Sequence, residues 1–417
     1  MQRTSDKFEG STAIVVGGSI GGLTAGLVLR DIGFDVSIFE RTPVPLHGRG
    51  GGIVLQPDTM RWFEERSEQD AASLFTSTST VQYVDRDKGT VFAESREWQY
   101  TSWGTFYRAL LEDFGEERYY LDSPAVRWTP GGDGERATVE FADGSVRTAD
   151  LVVFADGIGS VGRPLFDANA LSRYSGYVGW RGTVPLADLS EETRDLMGDA
   201  ITYNVIDHSH ITLYPIPGES GTGTGDQLMN YVWYRNVTAG EQLDDLLRGL
   251  NGYVGALTVP PGLVRDEYVT ELRDVARAQL APGPAEVVLK TEQPYVQVVQ
   301  DLRSSRMALG RAALIGDAAC AARPHAAAGT AKAAADAWAL RDALLEAESV
   351  EGALAAWEPT QLALSDALLE RVVSMGERSQ VHGTWVPGDA DLRFGLYGSG
   401  VTTRPTQAND AHFVSAY

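Results

Sequence analysis

Along the first forty positions, apolar runs and a glycine-rich segment follow one another in an order that predicts a β-α-β unit. Residues 12–16 form a short apolar run rich in β-branched side chains, which is typical of a buried strand. A glycine-rich segment, residues 17–22, follows this strand, and a helical pattern then continues until Gly33. A second apolar run, residues 36–39, ends at Glu40. We therefore predict strand, helix and strand in direct succession.

The pattern changes to a period of two between residues 176 and 235. Four segments rich in β-branched and aromatic residues are separated by turn residues and predict an antiparallel sheet that forms a second lobe: 177–184, 201–206, 210–216 and 228–234. The glycine-rich segment 218–225 lies between two of them. It lacks the Lys-Ser/Thr ending and the following helix of a phosphate loop, so we interpret it as a flexible hairpin loop.

The rest of the chain yields a hairpin, two buried strands, three helices and a tail. The hairpin joins 138–141 to 145–148 through Asp143-Gly144, and the buried strands are 151–154 and 312–315. Helical patterns cover 267–279, about 327–347 and about 350–375. The tail from Gln380 contains Gly, Pro and Asp, and we expect it to wrap the surface.

Composition narrows the classes of protein that need to be considered. The chain has 417 residues, 43% of them hydrophobic, which is enough for two or more packed lobes. A net charge of −22 disfavours binding to nucleic acid. The single cysteine, Cys320, excludes an intrachain disulfide and a zinc site with several Cys ligands, so no metal is predicted, and we expect Cys320 to be a small buried hydrophobic residue rather than a redox or covalent-flavin residue. A polar N-terminus and the lack of a long apolar stretch predict a soluble cytoplasmic protein without a membrane contact.

The glycine-rich segment after the first strand has the position and spacing of a dinucleotide-binding loop. It reads Gly17-Gly-Ser19-Ile20-Gly-Gly22, with serine where the usual motif has its middle glycine. Glycine allows the backbone to turn tightly and approach a pyrophosphate, and the helix N-terminus adds a partial positive charge. Glu40 lies 23 residues after Gly17, where an acidic residue accepts hydrogen bonds from an adenosine ribose. The alternative interpretation is an ordinary tight β-α turn.

Two further acidic turns extend this interpretation from a dinucleotide to a flavin. Asp156-Gly157 follows the buried strand 151–154, and Gly316-Asp317 follows the strand 312–315. A carboxylate at the second turn can accept hydrogen bonds from a ribityl chain. The N-terminus of the helix that follows Pro324 carries a partial positive charge. It would stabilise the negative charge of a reduced isoalloxazine that lies in front of it. Together the three turns predict FAD as the cofactor.

With these motifs the chain resembles the FAD-dependent aromatic hydroxylases of the para-hydroxybenzoate hydroxylase fold, the group A flavoprotein monooxygenases. The resemblance extends from about residue 12 to residue 395 and rests on five stretches: 16–25, 50–57, 176–182, 214–218 and 323–329. It implies an α/β fold in which a Rossmann-like FAD-binding domain carries an inserted, mostly antiparallel β-sheet substrate domain. We expect the first domain at 1–75, 100–172 and 292–379, the second at 76–99 and 173–291, and a C-terminal tail at 380–417.

The resemblance also implies which residues bind the cofactor. Glu40 would bind the adenosine ribose, Asp317 the ribityl or pyrophosphate region, and Asp156-Gly157 would serve FAD and NAD(P)H. The cofactor-binding set is therefore Gly17, Ser19, Ile20, Gly22, Glu40, Arg41, Asp156, Gly157, Gly316, Asp317, Ala328, Gly329 and Thr330. The chain departs from the family at Cys320, where histidine is usual, at 327–331, where Gly-Gln-Gly-x-Asn is usual, and at Trp103, where arginine is usual.

For the reaction, the resemblance implies that NADH or NADPH reduces FAD and that O2 then forms a C4a-hydroperoxyflavin, which hydroxylates a small hydroxylated aromatic or N-heteroaromatic compound. Electrophilic attack is faster on an ionised ring, so a base or a hydrogen-bond donor near the substrate is useful. His325, beside Pro324, and His210 could bind or deprotonate the substrate, and either could instead be a structural histidine. We name Pro324, His325 and His210 as catalytic candidates.

Substrate contacts are expected from aromatic residues on the strands that should cover the flavin. The candidates are Tyr203, Tyr214, Trp180 and Trp233, with Tyr234 beside them, although aromatic residues on a half-buried sheet are usually core. Arg181 could pair with an acidic substrate, but a structural ion pair with a glutamate is our expectation. We expect His208, in a turn beside Asp207, to be exposed.

Several alternatives remain open from the sequence. The same flavin chemistry could serve epoxidation or Baeyer–Villiger oxidation. A NAD-dependent dehydrogenase without flavin would need only the first glycine loop, and would leave Asp156-Gly157 and Gly316-Asp317 without a role. A flavin-binding regulator without turnover is a third class, whereas the Trp-x-Trp-x-Ile-Pro signature of flavin halogenases is absent from the sequence. A homodimer is also left open.

Overall fold

The computed structural model describes residues 4–46, 51–132, 134–218 and 226–405. Most of the predicted hairpin loop at 218–225 lies outside the described residues. The helices in chain order are α1 Ile20–Asp31, α2 Pro57–Glu65, α3 Trp103–Phe114, α4 Arg163–Phe166, α5 Glu191–Met197, α6 Glu241–Leu246, α7 Asp266–Gln279, α8 Pro282–Lys290, α9 Gly329–Glu346 and α10 Val350–Gln380. Within the described part of the chain, none of these helices is long and apolar enough to cross a membrane.

The strands form three sheets. In chain order they are β1 Thr12–Val16, β2 Asp35–Phe39, β3 Gly52–Val54, β4 Thr76–Asp85, β5 Gly89–Ser102, β6 Tyr119–Tyr120, β7 Ala125–Thr129, β8 Ala137–Phe141, β9 Val146–Ala149, β10 Leu151–Phe154, β11 Arg173–Pro185, β12 Ala200–Ile206, β13 Ser209–Ile216, β14 Leu228–Asn236, β15 Thr258–Val259, β16 Tyr295–Arg303, β17 Ala308–Leu309, β18 Ala312–Leu314 and β19 Cys320–Ala321. The smallest sheet contains only β7, β8 and β9.

The first sheet has six strands in the order β17-β18-β10-β1-β2-β6 and is parallel except at β17. Strands β10 and β18 are wholly buried, as parallel strands covered on both faces usually are. The parallel order brings the ends of four strands to one edge, where the segments after β1, β2, β10 and β18 begin. Ligands of open α/β sheets bind at this edge. All three predicted cofactor turns, together with Glu40, therefore lie side by side.

The second sheet has the order β15-β16-β11-β14-β13-β12-β4-β5-β3, and β19 pairs with β16. It is antiparallel except between β12 and β4. One face of strands β11, β13, β14 and β16 packs against α5, α7 and α8 in a common apolar core. The other face looks toward the first sheet, so the space between the two sheets is the place where a site can form.

The sequence predicted the four antiparallel strands of the second lobe and both strands of the opening unit in the correct places. The domain boundaries stay a prediction, although strand β16 pairs with the second sheet and the expected division placed it in the first domain. The described part of the tail lies at the surface, with most of its residues exposed or half-buried, and a few buried apolar side chains anchor it. Trp385, Leu392, Phe394 and Leu396 are buried in a core with strands of the second sheet, because helix α10 continues to Gln380 and delivers the tail to that sheet.

Candidate active site

A single large cavity separates the carboxyl edge of the first sheet from the inner face of the second. Its volume is about 840 Å³, within the range of roughly 300–1,000 Å³ that is typical of small-molecule and cofactor sites. Most of the predicted site residues line it: Gly17, Ser19, Ile20, Glu40, Arg41, Asp156, Gly157, Tyr203, His210, Tyr214, Gly316, Asp317, Pro324, His325, Ala328, Gly329 and Thr330. Most of the site residues predicted from the sequence therefore lie around one continuous space.

Two glycines of the first loop are required by close backbone contacts. Gly17 has φ +101°, and a Cβ atom there would lie 2.5 Å from the carbonyl oxygen of Ala155. A Cβ atom at Gly22 would lie 1.9 Å from the carbonyl oxygen of Gly17. Gly22 does not line the cavity, so its predicted contact with the cofactor is corrected: it lets helix α1 begin directly against the loop.

Glu40 ties the end of strand β2 to the glycine loop. One carboxylate oxygen accepts a hydrogen bond from the Gly18 amide at 2.8 Å, and the other accepts from the amide and hydroxyl of Thr42, each at 3.0 Å. The Tyr119 hydroxyl donates to the Gly18 carbonyl oxygen at 2.8 Å. No motif in the sequence pointed to Tyr119. A carboxylate has about four acceptor positions, so Glu40 can still accept from a ribose hydroxyl.

Asp156 presents an unsatisfied acceptor at the cavity. Its Oδ2 atom accepts from the Val161 amide at 2.8 Å, whereas its Oδ1 atom is buried without a hydrogen-bond partner. Burial raises the pKa of Asp156 above its usual value. A buried orphan acceptor is costly, so this carboxyl group is suited to a donor that a ligand supplies.

Arg163 joins the Asp156 turn to the Asp317 turn and was missed as a site residue. Its guanidinium donates to the carbonyl oxygen of Ile158 at 2.7 Å and to that of Ala318 at 3.1 Å. The side chain is mostly buried, with 9% exposure. The two acidic turns are thus held at a fixed separation by one cation.

Asp317 faces the cavity because neighbouring groups anchor its turn from behind. Gly316, at φ +56°, donates its amide to Asp336 Oδ2 at 2.9 Å. The same oxygen accepts from Lys332 at 2.6 Å in an ion pair that is almost wholly buried. The side chain is open to the cavity, but the surrounding protein partly desolvates it and raises the pKa of Asp317 to about 6, although Lys332 opposes the shift. The i,i+4 spacing of Lys332 and Asp336 on an alanine-rich helix was the signal that could have revealed this support.

The N-terminus of helix α9 forms part of the cavity wall beside the Gly316-Asp317 turn. Ala327 adopts a left-handed conformation, φ +51°, which turns the chain into the helix. Ala328, Gly329 and Thr330 line the cavity there. The first amides of a helix lack partners within the helix and carry partial positive charge, which favours an anionic ring system.

These features fit a flavin dinucleotide along its whole length. The glycine loop and Glu40 suit an adenosine diphosphate, the orphan oxygen of Asp156 and the carboxyl of Asp317 suit hydroxyl donors, and the start of α9 suits an electron-accepting ring. The cavity is also larger than these parts require, because it continues to the inner face of the second sheet. Room therefore remains for a substrate.

Two buried histidines lie together at that inner face. The ring centroids of His210 and His325 are 5.4 Å apart. His210 Nδ1 bonds to the Ser379 hydroxyl at 2.6 Å, and its ring stacks on Trp385. Burial lowers the pKa of His210 to about 3 and, with help from His210 and Arg323, lowers the pKa of His325 well below its usual value. Both rings are therefore neutral at physiological pH. Ser379, at the end of helix α10, and Trp385, in the tail, were missed because both lie beyond the predicted helix 350–375.

The predicted substrate-contacting aromatic residues divide into two pairs. Tyr203 and Tyr214 line the cavity as expected, with Tyr234 beside them. Trp180 and Trp233 do not: they are 2% and 0% exposed and belong to the core on the far face of the sheet. This corrects the prediction, and the reason is the alternation of side chains, since Gly179 and Arg181 occupy the cavity face on either side of Trp180.

Four other expectations concern single residues. Arg181 lines the cavity, and no carboxylate oxygen among the described residues lies within 4.0 Å of it, so the expected structural ion pair is wrong. His208 is half exposed, as predicted. Cys320 is 2% exposed and its thiol contacts the Ser365 carbonyl oxygen at 3.7 Å, which confirms the buried small residue. Trp103, at the family's arginine position, lines the cavity.

The fold and the site together define a flavin-binding oxidoreductase with a substrate pocket between two sheets. The model of a family described as FAD binding domain-like matches residues 174–301. The chain is 37% identical, over 95% of its length and 97% of the relative's, to 2,6-dihydroxypyridine 3-monooxygenase from Paenarthrobacter nicotinovorans.

Two solved structures share the fold of this chain. The 2,6-dihydroxypyridine-3-hydroxylase of Arthrobacter nicotinovorans matches with a TM-score of 0.87 at 35% identity, covering 95% of this chain and 98% of that one. HpxO of Klebsiella pneumoniae, solved with FAD and uric acid, shares the fold with a TM-score of 0.74 at 21% identity over 90% of both chains. The chain belongs to the FAD-dependent aromatic hydroxylases, and it is a flavin monooxygenase.

Proposed function

We propose that this monooxygenase uses NADH or NADPH and O2 to hydroxylate a small hydroxylated pyridine. The single observation that supports it most is the continuity of one cavity from the acidic turns to the His210–His325 pair. A ring compound in that space would lie between the cofactor and two neutral imidazoles. The relative that is 37% identical over nearly the whole chain carries the name of a dihydroxypyridine hydroxylase.

In the proposed site, bound FAD would supply the reducing and oxygen-activating chemistry. Glu40, Asp156 and Asp317 would hold the cofactor through its hydroxyl groups, and the amides at the start of α9 would stabilise negative charge on its ring. Residues of the inner sheet face would keep bulk water away from the reacting atoms, because the described wall there is aromatic: Tyr203, Tyr214, Tyr234 and Phe394.

The two histidines are proposed to act on the substrate's ring hydroxyl. A neutral imidazole can share a hydrogen bond with the ring oxygen, and the depressed pKa values keep both rings neutral across the working range. An ionised ring hydroxyl makes the neighbouring carbon more nucleophilic. Pro324, which begins the turn carrying His325, would fix that turn against the cofactor side of the cavity.

Two further parts of the proposal concern location and assembly. The protein is proposed to act in the cytoplasm. It is also proposed to form a homodimer, and size-exclusion chromatography with light scattering would measure its oligomeric state. Epoxidation and Baeyer–Villiger oxidation, left open by the sequence, are alternative outcomes of the substrate screen.

The experiment is a screen of the FAD-loaded enzyme against hydroxylated pyridines, matched phenols, a cyclic ketone and an alkene. NADH and NADPH oxidation, O2 consumption and product mass are measured together. We expect stimulation by 2,6-dihydroxypyridine or a close analogue, with a product that has gained one oxygen atom on the ring. Oxygen insertion only into the ketone or the alkene, or NAD(P)H oxidation without any oxygenated product, would contradict the proposal.

A further inference from the structure

Three polar side chains of the second sheet converge on the start of strand β3, where Arg181 lines the cavity and Asn230 and Tyr295 do not. A Cβ atom placed on Gly51 would lie 3.1 Å from each of Arg181 Nη1, Asn230 Oδ1 and Tyr295 Oη. Pairing of the strands produces this cluster, because Arg181 on β11 lies directly opposite Tyr295 on β16. In this Arg181–Asn230–Tyr295 cluster, Gly51 and Arg181 line the cavity, and the missing side chain of Gly51 leaves room beside the Arg181 guanidinium.

Each member of the cluster has a buried polar atom outside normal hydrogen-bond geometry. Arg181 Nε, Asn230 Nδ2 and Tyr295 Oη are buried and complete no hydrogen bond with the described residues, although the Arg181 guanidinium lies close to the Tyr295 hydroxyl. The orientation of the Asn230 amide is fixed, because its Oδ1 atom accepts from the Gly52 amide at 2.9 Å. The amino group is therefore the unpaired end.

The cluster holds a positive charge that no described carboxylate neutralises. Arginine stays protonated in proteins, and among the described residues no carboxylate oxygen lies within 4.0 Å of the Arg181 guanidinium. The guanidinium of Arg323, by contrast, is paired with Asp301 at 2.7 Å. A partly buried cation beside further polar groups is costly unless an acceptor, preferably an anion, completes it.

We propose that Arg181, positioned by Asn230 and Tyr295 of the cluster, binds an anionic oxygen of the substrate, so that the enzyme selects ring compounds that enter the cavity as anions. This inference rests on the proposed function for the nature of the ring, whereas the anion preference rests on the cluster alone. Tyr214, whose ring would meet a Cβ atom on Gly52 at 2.5 Å, supplies an apolar surface beside the charge. The oxygen could be an ionised ring hydroxyl or a ring carboxylate, and the experiment separates the two.

The test measures the binding of three ligands to the FAD-loaded enzyme in the absence of NAD(P)H, with the change in flavin absorbance as the signal. The ligands are 2,6-dihydroxypyridine, pyridine-2-carboxylate and the neutral 2,6-dimethoxypyridine. For Arg181→Gln we expect the Kd of the anionic ligand to rise ~10- to 100-fold, the range for a lost hydrogen bond to a charged group. The Kd of the dimethoxy compound should change less than about threefold. Which of the two anions loses affinity identifies the oxygen that is bound.

A matched control and two conservative variants keep the test decisive. Arg235→Gln removes an arginine on the same sheet that is paired with Glu271 at 2.9 Å, and it should leave all three Kd values unchanged. If Arg181→Gln does not fold, Tyr295→Phe and Arg181→Lys retain the shape of the wall and should weaken anion binding ~3- to 10-fold. FAD content is measured for each variant.

Equal effects on charged and neutral ligands, or no effect on any, would overturn the inference. So would a loss of FAD affinity with ligand Kd values unchanged, since Arg181 would then serve the cofactor. The proposed function is tested separately. If the enzyme inserts oxygen but binds charged and neutral ligands alike, only the anion-binding inference is wrong. If binding depends on ligand charge but no oxygenated product forms, only the proposed reaction is wrong.

Discussion

The Nε2 atom of His325 lies 2.7 Å from the hydroxyl oxygen of Tyr177. The Arg323 guanidinium, which is paired with Asp301, lies 5.6 Å from the Tyr177 ring centre and presents donors to the same hydroxyl. We therefore infer that the tyrosine proton is directed to His325, so that Nε2 accepts and the proton of the neutral ring is on Nδ1. His325 Nδ1 is buried without a partner in the structure. Tyr177 was not predicted from the sequence, although it begins the 177–184 segment.

We expect Tyr177→Phe to lower kcat for hydroxylation about 3- to 10-fold, as the loss of one buried hydrogen bond predicts. The physical reason is that His325 loses the group that sets its tautomer and orientation. NAD(P)H oxidation and hydroxylated product should be measured together, because a misplaced imidazole would also uncouple them. Tyr174→Phe, which loses a hydrogen bond to the Val237 carbonyl oxygen outside the cavity, is the control. Equal kcat values and equal coupling for Tyr177→Phe and wild type would refute this role.

Gly376 gives a second way to disturb the same contact. A Cβ atom there would lie 2.4 Å from Tyr177 Oη and 3.0 Å from His325 Nε2. We expect Gly376→Ala to reduce hydroxylation at least as much as Tyr177→Phe, while the FAD content stays normal. Gly352→Ala, at a more open position near the start of the same helix, should have little effect on turnover. Similar turnover in both alanine variants would contradict the prediction.

The two tryptophans on the far face should affect stability and not substrate affinity. Trp180 and Trp233 are buried in the helix-covered core, and the Trp233 indole donates to the Ser209 hydroxyl at 2.9 Å. Each change to Ala should lower the free energy of unfolding by about 3–5 kcal/mol, the usual cost of removing a buried aromatic side chain. Urea unfolding and KM of the folded fraction are the measurements. A raised KM without a loss of stability would restore the original assignment.

The parts of the fold that the sequence predicted are those with strong local periodicity. Strands β1 and β10 consist mainly of buried apolar residues and are followed by glycine or acidic turns. The sequence therefore predicted both where these strands end and which site residues follow them. For the second sheet, the sequence predicted the strands but not which of their two faces lines the cavity. Alternation shows that Trp180 and Arg181 point in opposite directions, yet it does not show which direction is the cavity.

Other site residues depend on long-range packing that no local pattern encodes. Ser379 and Trp385 reach His210 only because helix α10 extends to Gln380 and returns the tail to the second sheet. Arg163 joins two turns that are more than a hundred residues apart in the chain. Such contacts are set by tertiary structure, which single-sequence patterns do not determine.

FAD affinity should depend on the ionisation of Asp317. Its pKa of about 6 in the FAD-free protein means that the carboxyl group loses charge as the pH falls below that value. The ionised form is the better acceptor for a hydroxyl group, so we expect FAD to bind progressively more weakly from pH 7 to pH 5. Asp317→Asn should weaken binding ~10-fold or more at pH 7 and flatten this dependence. Fluorescence titration of the FAD-free protein measures it, and an unchanged pH dependence in Asp317→Asn would rule it out.

The buried imidazole of His210 should make the protein less stable in mild acid. Its pKa is about 3 in the folded protein, whereas an unfolded chain has a histidine pKa near ~6.5. Below pH 6.5 the unfolded chain therefore binds a proton that the folded protein does not, and the free energy of unfolding falls by up to about 1.4 kcal/mol per pH unit. The contribution is fully present above pH 6.5 and is lost as the pH falls toward 3.

Urea unfolding at pH 7.5 and pH 5.5 tests this dependence by comparing variants. His210→Gln can keep a hydrogen bond to Ser379 but has no group that titrates in this range. We expect it to lose about 1 kcal/mol less stability than wild type between the two pH values. His208→Gln is the matched control, because that side chain is half exposed and water solvates it in both states. If His210→Gln and wild type lost equal stability on acidification, His210 could not be held neutral by burial, and the neutral imidazole pair of the proposed site would have to be abandoned.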